Sequence, residues 1–207
     1  MPDRASNFKP FSDIENDALA EIANMATRRA ATSLGQFVNS EIKLTVPSVE
    51  ILSDVEAIKA VTRIGSEQLI AVSEDFRGLF GCRVLLIFPE ETSLELVRIV
   101  VARDMPHDEL VAHESEAIAK IGNIVLNAWV TTLANLLKRN LVMSVPQVLR
   151  GLGGELFRSV PLKFVLFLQI DFVVGNAQVT GYLALLMDLP SVNALRAVIA
   201  TFIADKS

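Results

Sequence analysis

The chain has 207 residues, 51% of them hydrophobic and 21% charged, with a formal net charge of −5 and a pI near 5.1. That length and composition suit one large domain, or two closely fused halves, around a real core. Lys and Arg are scattered along an acidic chain, so there is no electrostatic footprint for nucleic acid.

Cys82 is the only cysteine, which excludes an intramolecular disulfide and the thiolate zinc sites and fits a cytoplasmic protein. The opening MPDRASNFKPF is polar and has no apolar h-region, so it does not read as a secretory signal. The uncharged runs 121–137 and 172–187 contain Asn, Gln and Thr. They fall short of the roughly 18–20 apolar residues that cross a bilayer, so no membrane insertion is expected. His107 and His113 are the only histidines. Without further ligand types at metal spacing they read as solvated, and no metal site is expected.

The first predicted element is a helix of roughly 25 residues with 3.6-residue periodicity. Ser12 followed by Glu15 offers a capping box at its start. Ile22, Ala23, Ala26 and Ala30 are placed to face a core, while Asp17, Glu21 and Asn24, at i, i+4 and i+7, share a polar strip displaced from it. By spacing alone this is an ordinary solvated face. Glu and Asn without a base or a nucleophile make a weak catalytic signature.

A β-rich run follows, Thr45-Val46-Pro47-Ser48-Val49, whose proline cannot donate a ladder hydrogen bond and belongs at a strand end, an edge or a bulge. Strands are expected near 67–75 and 80–88, then a short helix at about 91–103. A second long helix begins near the acidic pair Asp108-Glu109. After it come Ser144-Val145-Pro146-Gln147-Val148, strands near 161–173 and 177–187 joined by a turn at Gly175-Asn176, and a closing helix at about 190–203. Trp129 and Tyr182 are lone aromatics in apolar segments and read as core, as does Cys82 in GCRVLLIF.

The second series repeats the first. With a shift of 99 residues, Ala20, Ile22, Asn24, Val46, Pro47 and Val49 align with Ala119, Ile121, Asn123, Val145, Pro146 and Val148. The chain therefore reads as one domain of two fused repeats, approximately 12–105 and 108–204. The expected fold is α+β with pseudo-twofold symmetry: a shared, central, largely antiparallel sheet and two long helices packed on one side.

The pattern Asp17-x3-Glu21-x2-Asn24-x22-Pro47 resembles the signature of the CheC family, which includes the relative CheX. These are chemotaxis phosphatases that dephosphorylate the response regulator CheY. EIANM and RAATSL in this chain are similar to the family's usual EIGNI and NAATAL. The resemblance implies a partner, the phosphorylated CheY-like receiver, that brings its own magnesium ion, acyl phosphate and lysine, so no cofactor is needed on this chain. It also implies that Asn24 orients the attacking water, that Glu21 contacts the receiver's active-site lysine, and that Asp17 supports or docks. Pro47 is the motif proline.

The chain departs from the pattern in both halves. The second copy reads Glu116-x3-Lys120-x2-Asn123-x22-Pro146. A lysine in place of the family's Glu would meet the receiver's lysine with like charge, so this degenerate site is expected to be weak or inactive. Glu116 and Lys120 are also spaced for an i, i+4 ion pair. In the first copy Ala23 stands where the family has Gly, and Arg28-Arg29 follow where relatives carry a small stretch. The two arginines read as solvated.

Two functions compete on this reading. One is a phosphatase for a CheY-like receiver in chemotaxis or another two-component pathway. The other is a noncatalytic adaptor that binds a receiver, a CheD-like deamidase or a flagellar-switch partner. Related switch proteins add a C-terminal domain, and the end of this chain soon after its second repeat argues against a complete switch subunit. The oligomeric state stays open, since a pseudo-dimer already supplies the symmetry.

Overall fold

The computed structural model describes residues 11–63, 68–78, 81–100, 106–138, 140–157, 164–174 and 176–206. The opening decapeptide and Gly175 of the expected turn lie outside them, as do 67, 80 and 161–163 of the expected strands and 101–103 of the expected short helix.

Chain order begins with helix α1 (Asp13–Val38), strand β1 (Lys43–Leu52) and helix α2 (Asp54–Thr62). Strands β2 (Leu69–Arg77) and β3 (Cys82–Pro89) and helix α3 (Glu90–Val100) complete the first half. The second half runs α4 (His107–Leu137), β4 (Val142–Met143), β5 (Gln147–Gly151), α5 (Gly153–Leu156), β6 (Phe164–Val174), β7 (Ala177–Met187) and α6 (Leu189–Ala204). The strands form one sheet in the order β1-β6-β7-β3-β2-β4, with β5 also on β2, and every pairing is antiparallel. Each half thus hands its first strand to the other: β1 lies on β6 and β5 on β2.

The capping box expected at the start of α1 is present. The Glu15 backbone N–H donates to Ser12 Oγ at 3.3 Å, and the Ser12 backbone N–H donates to Glu15 Oε2 at 2.7 Å. Both motif prolines interrupt the edge strands, because each lacks the N–H a ladder requires. The β1–β6 register slips between Thr45 and Ser48, around Pro47. In the second half Ser144–Pro146 fall in a gap between β4 and β5. There the Ser144 backbone N–H donates to Asp75 O at 2.8 Å, and the Asp75 backbone N–H donates to Ser144 Oγ at 2.9 Å.

Two-residue alternation along the strands sends apolar side chains to both faces of the sheet. On one face Ile70, Val72, Leu86, Phe88, Leu168 and Leu185 pack with Ile22, Ala26, Ile121, Val125 and Trp129 of the two long helices, which also contact each other. Trp129 is 1% exposed, and Cys82 is buried with its thiol pushed above the usual range by desolvation. On the opposite face Leu69, Ala71, Leu85, Val165 and Tyr182 meet Ala57 and Val61 of α2 and Leu156 of α5. Tyr182 stacks on Phe167 with ring centroids 5.5 Å apart.

The expectation of strands alone between each long helix and its closing helix therefore needs correction, for α2 and α5 intervene and cover part of the second face. A Ser53–Glu56 capping box starts α2. Glu155 accepts the Leu152 backbone N–H at 3.0 Å before α5.

By length and composition α4 could cross a membrane, but 61% of its most apolar window is buried in this fold. A close approach fixes one of its residues: a Cβ on Gly122 would lie 2.5 Å from Val72 Cβ, whereas α1 carries the fully buried Ala23 at the matching position. Beneath α4, β2 carries Glu74, 1% exposed, whose two carboxylate oxygens have no hydrogen-bond partner among the described residues. Desolvation pushes its pKa up to about 7.

Candidate functional site

Ile22, Ala23, Ala26 and Ala30 are fully buried, so the opposite surface of α1 must point outward. Asp17, Glu21 and Asn24 are all exposed there, and Arg28, at i+4 from Asn24, continues the row. The apolar groups Ile14 (68% exposed) and Met25 (37% exposed) lie beside it. The stripe occupies a helix surface, so any reacting group must be carried in by a partner.

Asn24 donates from Nδ2 to the Ala20 carbonyl one turn back, at 3.0 Å. This fixes the carboxamide and leaves its Oδ1, an acceptor, without a hydrogen-bond partner among the described residues. Glu21 receives the ammonium of Lys206, from the turn that follows α6. Arg28 and Arg29 are exposed and have no ion-pair partner among the described residues.

The second stripe is arranged differently. Lys120 Nζ pairs with Glu116 Oε1 at 3.1 Å, the i, i+4 pair expected from the spacing. Asn127 donates its Nδ2 to the carboxamide oxygen of Asn123 and, at 2.7 Å, to the Asn123 carbonyl. The acceptor that stays open on Asn24 is thus filled on Asn123. Of the two histidines, His107 is exposed, and His113 is exposed with Nδ1 4.0 Å from Glu116. Among the described residues no three His, Cys, Asp or Glu side chains gather as metal ligands.

Residues 14–51, which carry this stripe and the bulge at Pro47, match the model of the CheC-like family. The chain is 26% identical over 157 residues to "CheY-P phosphatase CheC" of Bacillus subtilis, covering 72% of each sequence. A "Putative CheY-P phosphatase CheC1" of Halobacterium salinarum is 23% identical, over 66% of this chain and 69% of its own length.

The fold of this chain recurs in Thermotoga maritima FliY, with a TM-score of 0.72, 20% identity and coverage of 93% of this chain and 98% of that one. It recurs also in a chain of the CheX-CheY-BeF3-Mg complex from Borrelia burgdorferi, with a TM-score of 0.51, 13% identity and coverage of 82% and 99%.

Lys206 escaped the sequence reading because it stands 185 positions from Glu21, with no local spacing to join them. The role of Asn127 was legible in principle. It occupies, in the repeat alignment, the place of Arg28, so the two asparagines were bound to have different neighbours one turn on.

Proposed function

We propose that this protein accelerates hydrolysis of the phosphoaspartate of a CheY-like receiver. The observation that carries the proposal is the open carboxamide oxygen of Asn24 one turn from the carboxylate of Glu21, on a helix rigidly packed against a sheet. The names of the two relatives support it, as does the presence of a receiver in the complex of the CheX neighbour.

The chemistry asks little of this chain. A receiver supplies the acyl phosphate, its magnesium ion and its lysine, so no cofactor is assigned here. In-line attack needs one water held opposite the aspartyl oxygen. Asn24 Oδ1 accepts a hydrogen bond from that water and turns its lone pair toward phosphorus. The new bond joins water oxygen to phosphorus as the bond to the aspartyl oxygen breaks, giving inorganic phosphate and a free aspartate. Glu21 engages the receiver's lysine and sets the register of the two surfaces, with Asp17 at the rim of the contact. On this reading the protein works in the cytoplasm beside its receiver.

Decay of a phosphorylated receiver with the wild type and with Asn24→Ala tests this directly. Acceleration that disappears in the variant, with circular dichroism unchanged, is the expected result. Undiminished acceleration would remove Asn24 from the mechanism. A second reading, an adaptor that binds a receiver, a CheD-like deamidase or a switch partner without catalysis, is favoured by one observation: Glu21 is already neutralised by Lys206. Binding to a receiver whose phosphate decays at its spontaneous rate would select it.

A further inference from the structure

Helix α6 lies against α1, and it and the turn that follows it present two cations to two acids of α1. Arg196 Nε stands 3.3 Å from Glu15 Oε1, with its guanidinium 5.2 Å from the centre of the Phe11 ring. Ten residues further on, Lys206 pairs with Glu21, and its Nζ lies 4.7 Å from the centre of the Phe202 ring. The Lys206 backbone is itself held, with its N–H donating to the Ile203 carbonyl at 3.2 Å. The ammonium is therefore delivered to Glu21 by a structured turn and steadied by an aromatic face.

The two pairs differ in what surrounds their acids. Glu15 is committed to the cap of α1 through Ser12, and its carboxyl is held below the usual range by the Ser12 backbone N–H and hydroxyl, with Arg196 adding to the effect. Glu21 has no such second duty: it stands in the exposed stripe beside Asn24, and Lys206 is the partner it shows. Roughly half of each side chain is exposed. A pair of this kind is weak, because water competes for both ions and two long side chains must be ordered.

We infer that Lys206 is a built-in competitor for Glu21: its ammonium occupies the carboxylate that an incoming lysine must reach, so a partner docks only by displacing it. The inference rests on the phosphatase reading for the identity of the incoming cation, the active-site lysine of a phosphorylated receiver. Asn24 is left open by the same contact. Lys206 therefore sets how tightly the receiver docks and leaves the rate of hydrolysis in the docked complex unchanged.

The test uses the full chain with Lys206→Met, which keeps an unbranched stem over Phe202 and removes the charge, and with Lys206→Arg, which keeps the charge. Two quantities are read for each: kcat and KM for the phosphorylated receiver, and Kd for the receiver loaded with beryllium trifluoride. Lys206→Met is expected to lower KM and Kd by about two- to fivefold with kcat unchanged, the range of an exposed ion pair. Lys206→Arg should stay near the wild type. In a Glu21→Gln background the Met substitution should have no further effect.

Unchanged or raised KM and Kd in Lys206→Met, with acceleration intact, would overturn the competitor role and leave the phosphatase reading standing. Tighter binding in Lys206→Met without acceleration by any form would keep the competitor and overturn the phosphatase. Neither binding nor acceleration by the wild type or either variant would overturn both.

Discussion

The two long helices of this protein carry the same row of positions, and the structure uses them in opposite ways. On α1 the row reads Asp17, Glu21, Asn24 and Arg28; on α4 it reads Glu116, Lys120, Asn123 and Asn127. Asn24 is anchored to its own helix and keeps its acceptor free, whereas Asn123 gives its acceptor to Asn127. Both rows meet an ammonium next to the asparagine. On α4 it is Lys120, part of the helix itself and tied to Glu116; on α1 it is Lys206, brought from another element. A fixed cation closes the second surface, and a removable one guards the first. Two helices in matching positions can thus share a backbone course and differ in which side chains remain available.

The largest expected effect separates the two asparagines. Asn24→Ala should lower receiver dephosphorylation by about 10²- to 10³-fold, the scale on which one positioned polar group contributes to catalysis, while Asn123→Ala should leave it unchanged. Equal losses in the two variants would erase the distinction between the helices.

Next comes the sheet beneath α4. Glu74 has a folded pKa of about 7 against 4.5 for an ordinary Glu. Below pH 4.5 the carboxyl is protonated in both states and carries no ionisation cost. Between 4.5 and 7 the unfolded chain releases the proton that the folded chain retains, so stability falls as pH rises and levels off above 7. The full difference is about 3 kcal/mol at about 1.36 kcal/mol per pH unit. Urea unfolding of Glu74→Gln should show that gain over the wild type at pH 8 and little of it at pH 4.5. A constant difference between the two proteins would mean that Glu74 is hydrated in the folded state.

The clamps on the two helices offer a smaller contrast. Arg150 of β5 holds Glu90 of α3 and Glu114 of α4, and Glu114, 7% exposed, also accepts the Ser93 hydroxyl. Arg150→Ala strands that buried carboxylate and should cost about 2 kcal/mol, below the range for a fully buried pair because Arg150 is itself partly solvated. Arg196→Ala, at the exposed clamp of α1, should cost less than about 1 kcal/mol. Chemical denaturation ranks the two, and a reversed order would place the firmer clamp on α1.

The smallest effect is a gain. In the Asn24→Ala background, Lys120→Glu with Asn127→Ala frees Asn123 and restores an acid beside it, and should recover a few-fold acceleration over spontaneous decay. No recovery would show that α4 lacks more than these two side chains.

Much of this arrangement could be read from the sequence because it is local. The Ser12–Glu15 cap, the prolines at strand irregularities, the buried alanines of α1 and the Glu116–Lys120 pair all join residues within one or two turns, or mark a residue type with a single backbone requirement. Helix α2 announced itself by the same Ser-x-x-Glu spacing at Ser53 and Glu56, yet its nine residues are shadowed by the β-rich run before it. Glu74 was not foreseeable: alternation along β2 sends it to the core face, and only the packed helix above shows that no group among the described residues receives it. The contacts of Lys206 and Arg150 were likewise invisible, since they depend on which elements the sheet order brings side by side.

That sheet order has a consequence for any shorter form of the chain. Because β1 completes its ladder on β6 and β5 completes its ladder on β2, a half-length chain would leave its first strand unpaired and one edge of the strand that receives it open. Its simplest remedy is another copy of itself, with each chain lending its first strand to the other. In the present chain the same exchange of strands is made within one polypeptide. A residue such as Lys120 can therefore stand on one long helix without being imposed on the other.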